Sequence, residues 1–151
     1  MDVTPEDPAH PDARRCIAAY FAELAGRDDR FDPAASLPAT DEDLRLPAGL
    51  LLIARTGAGP VGCVALRFHG DAPAEVKRMW VSTSARGLGV GRRLLDEVEG
   101  TARDAGVRTL RLETNRTLVE AIGLYRSAGF VQVPAFNDEP FAHHWFEKQL
   151  V

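Results

Sequence analysis

The sequence predicts one mixed α/β domain, on three observations. Apolar residues recur with helical period in three separate segments, strand-length apolar runs lie between them, and glycine or proline marks the junctions. The 151 residues suit one compact domain whose core needs no metal or disulfide support.

Between residues 11 and 26, Ile17, Tyr20, Phe21 and Leu24 fall at i, i+3, i+4 and i+7, one face of a first helix. Residues 27–47 mix charge, proline and small side chains and read as a loop with a helical turn near 41–44. Two strand-like runs, 49–55 and 61–68, pair antiparallel across the glycine-rich connection 56–60. Residues 74–81 give a third strand and 82–89 a loop. Val90, Leu94, Leu95, Val98 and Ala102 then mark a second helix, which Gly106 is placed to end. A strand over 107–114, a third helix over 117–128 closed by Gly129, and terminal strands at 130–133 and 142–150 complete the order. No repeat or second domain interrupts residues 1–151. About the first ten residues, acidic and proline-rich, are open to being a poorly ordered tail, with at most Val3 and Thr4 available to an initial strand.

Composition narrows the partners. Eighteen basic against twenty-two acidic residues, a net charge of −4, disfavour a general binder of nucleic acid or of anionic membrane. No apolar run reaches the roughly 18 residues of a spanning helix, and the first residues lack the basic start of a secretory signal. A cytoplasmic protein is expected. Cys16 and Cys63 sit in apolar patterns without the spacing of a zinc or redox motif, and read as reduced core residues. Against this acidic background Lys77, Arg78, Arg86, Arg92 and Arg93 form a locally basic window, as a polyanionic ligand needs.

Within that window a strand breaks into Arg86-Gly87-Leu88-Gly89-Val90-Gly91 and enters a helix. Glycines let backbone approach a ligand closely, and the first N–H groups of a helix, with its dipole, bind anions. Arg86 and Arg92 can add charge-assisted hydrogen bonds to a diphosphate. A nucleotide P-loop needs Gly-Lys-Ser/Thr, where this chain has Gly91-Arg92-Arg93. A dinucleotide fingerprint needs glycine at 92 or 94, where arginine and leucine stand.

The segment resembles the acyl-CoA signature of the GNAT (Gcn5-related) N-acetyltransferase superfamily, Arg/Gln-x-x-Gly-x-Gly/Ala, met by Arg86, Gly89 and Gly91. Asn115 and the run Ala121-Ile122-Gly123-Leu124-Tyr125, ending in Gly129-Phe130, are similar to the family's second block. The resemblance implies a GNAT-like α/β fold: a mixed, mostly antiparallel sheet with a V-shaped split between its fourth and fifth strands, flanked by helices. It implies acetyl-CoA as co-substrate, no metal, a small-molecule amine as acceptor, direct attack in a ternary complex, and often a homodimer. A protein amine and a non-catalytic CoA-binding module are the alternatives.

Site residues carry over position by position. Backbone N–H groups near Met79, Trp80 and Val81 would bond the pantetheine and thioester carbonyls, and residues 86–92 (Arg86, Gly87, Leu88, Gly89, Val90, Gly91, Arg92) the diphosphate. Tyr125 matches the tyrosine that protonates the departing thiolate, with core packing as the other reading of its place on the apolar face. Asn115 matches a contact to pantetheine or an ordered water, with a helix N-cap as the other reading. Glu75 stands where many members carry a general base; an ordinary solvated carboxylate is the other reading. His143 and His144, adjacent in a strand, would face opposite sides and cannot form one site. The loop Asn137-Asp138-Glu139 could reach the acceptor cleft, though a solvated turn is the simpler account. Lys77 and Arg78 would suit an acceptor's carboxylate, whereas acidic groups near the cleft would suit a polycation.

Overall fold

The computed structural model describes residues 1–150. Its elements, in chain order, are β1 (Asp2–Pro5), α1 (Pro11–Arg27), β2 (Gly49–Thr56), β3 (Gly59–His69), β4 (Ala72–Val81), α2 (Val90–Asp104), β5 (Thr109–Thr114), α3 (Val119–Ser127), β6 (Val131–Val133) and β7 (His144–Gln149). Short 3-10 turns at Pro33–Ala35, Glu42–Leu44 and Thr83–Ala85 punctuate the loops. The seven strands form one sheet in the order β1-β2-β3-β4-β5-β7-β6, antiparallel throughout except for β4 against β5.

The central strands β2 and β3 are apolar on both faces, as buried strands must be. Leu50, Leu52, Val64 and Leu66 point into the larger core, under α2 and α3, while Leu51, Ile53, Cys63 and Ala65 point into a smaller one under α1. Both cysteines are buried and free. Glycine ends both later helices in the same way: Gly106 and Gly129 take left-handed φ of 83° and 94°, and the next N–H closes onto Ala102 and Tyr125 respectively. No helix is long and apolar enough to cross a membrane among the described residues.

Several expectations need correction. Residues 2–5 are not part of a loose tail, because all four pair antiparallel with Leu52–Arg55 of β2, and Arg55 ties this edge down through Thr4, Glu6 and Asp12. The β2–β3 strands run closer together than expected, leaving only Gly57 and Ala58 between them, with Gly59 at φ 105°. The last strand begins at His144, so His143 lies in the preceding loop, where its Nδ1 accepts from the Arg116 N–H.

Two irregularities position the site. β4 and β5 pair only at Ala74–Leu110 and Glu75–Arg111, after which they diverge, opening the V-shaped split. Opposite, β4 carries a bulge against β3: Ala65 faces Lys77 and Cys63 faces Trp80, so two steps on β3 meet three on β4. The extra residue is Arg78, whose φ of 55° is the only positive one of a non-glycine residue among those described. Side-chain parity shifts by one across it, so Ala74, Val76 and Met79 all enter the larger core, while Trp80 packs towards the α1 side.

Candidate active site

Two cavities meet along β4. The first, about 290 Å³, is lined by Met79, Trp80 and Val81, by 85–87 and 89–92 of the turn, by Leu118, Ala121 and Leu124 at and after the cap of α3, and by the carboxylates Glu23 and Glu120. Here the chain enters α2 through Gly87 and Gly89, both at φ 79°. Gly89 caps the helix with no side chain, which leaves the first N–H groups free to meet an anion. At Gly91 space is tight, since a Cβ there would lie 3.0 Å from Leu124 Cδ2 and press that side chain aside. The cleft thus joins an anion-binding end to an apolar channel, and its shape and chemistry fit a diphosphate followed by a pantetheine arm.

Not every residue expected in this cleft lies there. Leu88 is 74% exposed and outside the lining. Arg86 lines the cleft, but its guanidinium is engaged by Glu23 and by the Val81 carbonyl, so only its remaining N–H groups can serve a ligand. Arg92 is half-exposed beside Asp96.

Asn115 is placed away from this cleft, on the wall of the second cavity, and its polar atoms are fully occupied. Its Nδ2 donates to Asp28 at 2.9 Å and to the Phe141 carbonyl at 2.8 Å, and its Oδ1 accepts from the Thr117 N–H and hydroxyl at 3.0 and 2.7 Å. It therefore ties the end of α1 and the loop before β7 to the end of β5. The Asn115 hydrogen bond, with the Arg30 N–H, holds the Asp28 carboxyl below its usual value. Asn115→Ala strands these groups and is expected to lower the melting temperature by about 5–10 °C, from about 2–3 kcal/mol of lost hydrogen bonding, as read by a thermal scan.

The second cavity, about 300 Å³, opens on the α1 side of the split. Its walls are an aromatic chain in which Phe21 stacks on Phe31 at 5.9 Å and Phe31 meets Phe141 edge-on at 5.0 Å. Its floor carries Val76, Lys77 and Arg78 of β4, Glu113 and Thr114 of β5, and Asn115 just beyond that strand. Lys77 and Arg78 would face opposite ways on a regular strand; the bulge brings both here. Glu139 lines the cavity too, accepting from the Ser36 hydroxyl and the Leu37 N–H, so its loop is a wall and not a solvated turn.

Glu75 lies in neither cavity lining. Its carboxylate meets His69 Nε2 at 2.5 Å and Lys77 Nζ at 3.5 Å. Lys77 in turn reaches Glu113 Oε1 at 3.2 Å, so Glu75 is joined to the cavity through Lys77. The other oxygen of Glu113, Oε2, is buried without any hydrogen-bond partner, although the side chain is only 10% exposed. The sequence reading passed over Glu113; its signal was a carboxylate on the face of β5 opposite Leu110 and Leu112, just where that strand leaves its partner.

Tyr125 is buried in the larger core and lies in neither cavity lining, its ring against Phe130 and Phe146. Burial raises its phenol well above the ordinary value, and the nearby Tyr20 and Glu113 add to the rise. Tyr20, on the second cavity's wall, is raised for the same reasons, burial first and Glu113 next. Among the described residues no group of three or more histidine, cysteine or acidic side chains could hold a metal ion.

Comparison with known proteins agrees with this geometry. The acetyltransferase (GNAT) family profile matches residues 17–130. The chain is similar to IAA acetyltransferase of Azospirillum brasilense, 42% identical over 97 residues, 64% of this chain and 63% of that protein, so it spans under two thirds of that relative's length. It is also similar to N-alpha-acetyltransferase RimI of Mycobacterium tuberculosis, 37% identical over 125 residues, 81% of this chain and 74% of that one. In fold it matches a GNAT family acetyltransferase from Elizabethkingia anophelis with acetyl-CoA bound, with a TM-score of 0.67 and 18% identity over 99% of this chain and 97% of that one. The chain belongs to the acetyltransferase (GNAT) family.

Proposed function

We propose that the protein is an acetyl-CoA-dependent N-acetyltransferase that passes the acetyl group to a primary amine of a small molecule, by direct attack in a ternary complex. One observation carries the reading: consecutive residues of a single strand, 76–78 and 79–81, line an acceptor-side cavity and a donor-side cleft respectively. A thioester lying along β4 then ends beside the acceptor amine.

The residues divide the work. Beyond Glu75 the β5-facing edge of β4 has no strand partner, so N–H groups near Met79 to Val81 are available to bond the pantetheine and the developing oxyanion. An alkyl amine, with a pKa of about 10.4, is mostly protonated near neutrality and needs a base. We assign that role to Glu113, a residue of the acceptor cavity's lining with one carboxylate oxygen left without a donor, and Glu75 acts on it through Lys77. As the amine nitrogen bonds to the thioester carbon, the C–S bond breaks and Tyr125 supplies the thiolate with a proton. Two unpaired buried cysteines are in keeping with a reducing, cytoplasmic setting. A carboxylate oxygen buried without a donor has no use in a CoA sensor without turnover, which disfavours that alternative. Similarity to an N-alpha-acetyltransferase supports a protein amine as the second reading of the acceptor.

Calorimetric titration with acetyl-CoA, with NADH as control, tests the donor. Micromolar binding of acetyl-CoA alone is expected; no heat and no thermal shift would refute the proposal. Gly89→Ala puts a side chain at a left-handed φ, a strain of about 1–2 kcal/mol, and should weaken acetyl-CoA binding about tenfold.

A further inference from the structure

The acceptor cavity holds a cation with no carboxylate beside it and a carboxylate oxygen with no donor. One is Arg78. Its guanidinium is partly buried, donates to the Ala39 carbonyl at 2.9 Å and lies 5.2 Å over the Phe21 ring. Among the described residues no carboxylate oxygen comes within the 4.0 Å of an ion pair. The other is Glu113 Oε2, buried with no hydrogen-bond partner. The cavity's remaining charges are satisfied internally, Lys77 between Glu75 and Glu113, and Glu139 by Ser36 and Leu37. Buried charges without partners are rare because each loses its hydration uncompensated. Arg78 is held there, moreover, at a φ of 55°, a strained conformation of the kind that persists where a site requires it.

We propose that the acceptor is a free α-amino acid with an apolar side chain. Its carboxylate pairs with Arg78, its amino group with Glu113 Oε2, and its side chain lies among Phe21, Phe31 and Phe141. The inference rests on the transfer reading above and narrows its acceptor. A guanidinium fork matches a carboxylate in shape and charge. A polyamine would set an ammonium against Arg78, and a peptide N-terminus or amino-acid amide would offer it only a neutral carbonyl. In the transfer the α-ammonium loses two protons, one passing through Glu113 to solvent and one balanced by the proton taken up by the thiolate. The N–C bond forms as the C–S bond breaks, giving the N-acetyl amino acid and CoA.

The test is thiol release from acetyl-CoA by the full chain, with the common amino acids as free acids and as amides, and with spermidine and a short peptide. Apolar amino acids are expected to exceed their amides in kcat/KM by at least about 30-fold. Arg78→Gln should bring that ratio to within about threefold by loss on the acids alone, and Arg78→Lys should restore part of it. Preference for amides, peptide or spermidine would overturn the inference, as would acetyl-CoA binding with no release on any apolar amino acid, or a folded Arg78→Gln with an unchanged ratio. Release on one of those other amines leaves the transfer reading standing, whereas failure to bind acetyl-CoA removes both. The wild-type acid-to-amide ratio decides the matter even if the variant does not fold.

Discussion

Glu113→Gln is expected to lower kcat/KM by about 10²-fold or more, the range of a lost general base, with acetyl-CoA affinity nearly intact. Glutamine keeps the shape and can still meet Lys77, so the loss isolates the proton-accepting oxygen, which is the one without a partner. The pH profile of kcat/KM should lose its acid limb in the variant, and an unchanged profile would remove Glu113 from the mechanism. Glu75→Gln is the informative companion. Glu75 touches Lys77 and His69 and not the cavity, so its removal should cost about tenfold or less, a modest electrostatic effect exerted through Lys77. An equal loss in both variants would mean that the base lies at Glu75.

Tyr125→Phe is the second large effect, expected to reduce kcat by about 10²-fold while sparing acetyl-CoA binding. The direction of its shift sets what the role demands. A buried phenol stays protonated throughout the working range, so it is always a donor. It can yield its proton only to a thiolate made strongly basic by the same burial, at the moment of C–S cleavage. The same shift has a sign in stability. Unfolded tyrosine ionises near pH 10, while Tyr125 and Tyr20 in the fold resist ionisation. Their contribution is fully present below about pH 10 and is lost as pH rises beyond it, because only the unfolded state releases the proton. Urea midpoints between pH 8 and pH 11 should fall more gently in Tyr125→Phe than in the wild type.

Much of this molecule was legible in its sequence because its elements obey local rules. Helical spacing from Ile17 to Leu24 and from Val90 to Ala102, and the glycines at 106 and 129, report short-range geometry. The first cavity's glycine-rich turn was equally readable, since the glycines and the helix start that line it are contiguous in the chain. The acceptor side was not. It is assembled from α1, the loop 33–39, β4, β5 and the loop before β7, and which of their polar groups remain unpaired depends on long-range partners. Thus the four hydrogen bonds of Asn115 and the Lys77 ion pair of Glu75 are invisible in the sequence, because each joins residues of different elements. Residues 2–5 carry almost no strand signal of their own; pairing to β2 supplies it.

The extra residue at Arg78 also makes β4 two half-strands out of phase. Upstream of it the positions facing α1 are odd-numbered, Glu75 and Lys77; downstream the position on that side is the even-numbered Trp80. Deleting Arg78 would restore a regular ladder with Met79 still in the core and Trp80 still on the α1 side, so what the extra residue adds is a second cation beside Lys77 without disturbing either half. A strand so divided allows each half to vary on its own: under the proposed function, changes up to residue 77 bear on which amine is accepted, and changes from residue 79 on how the donor is held.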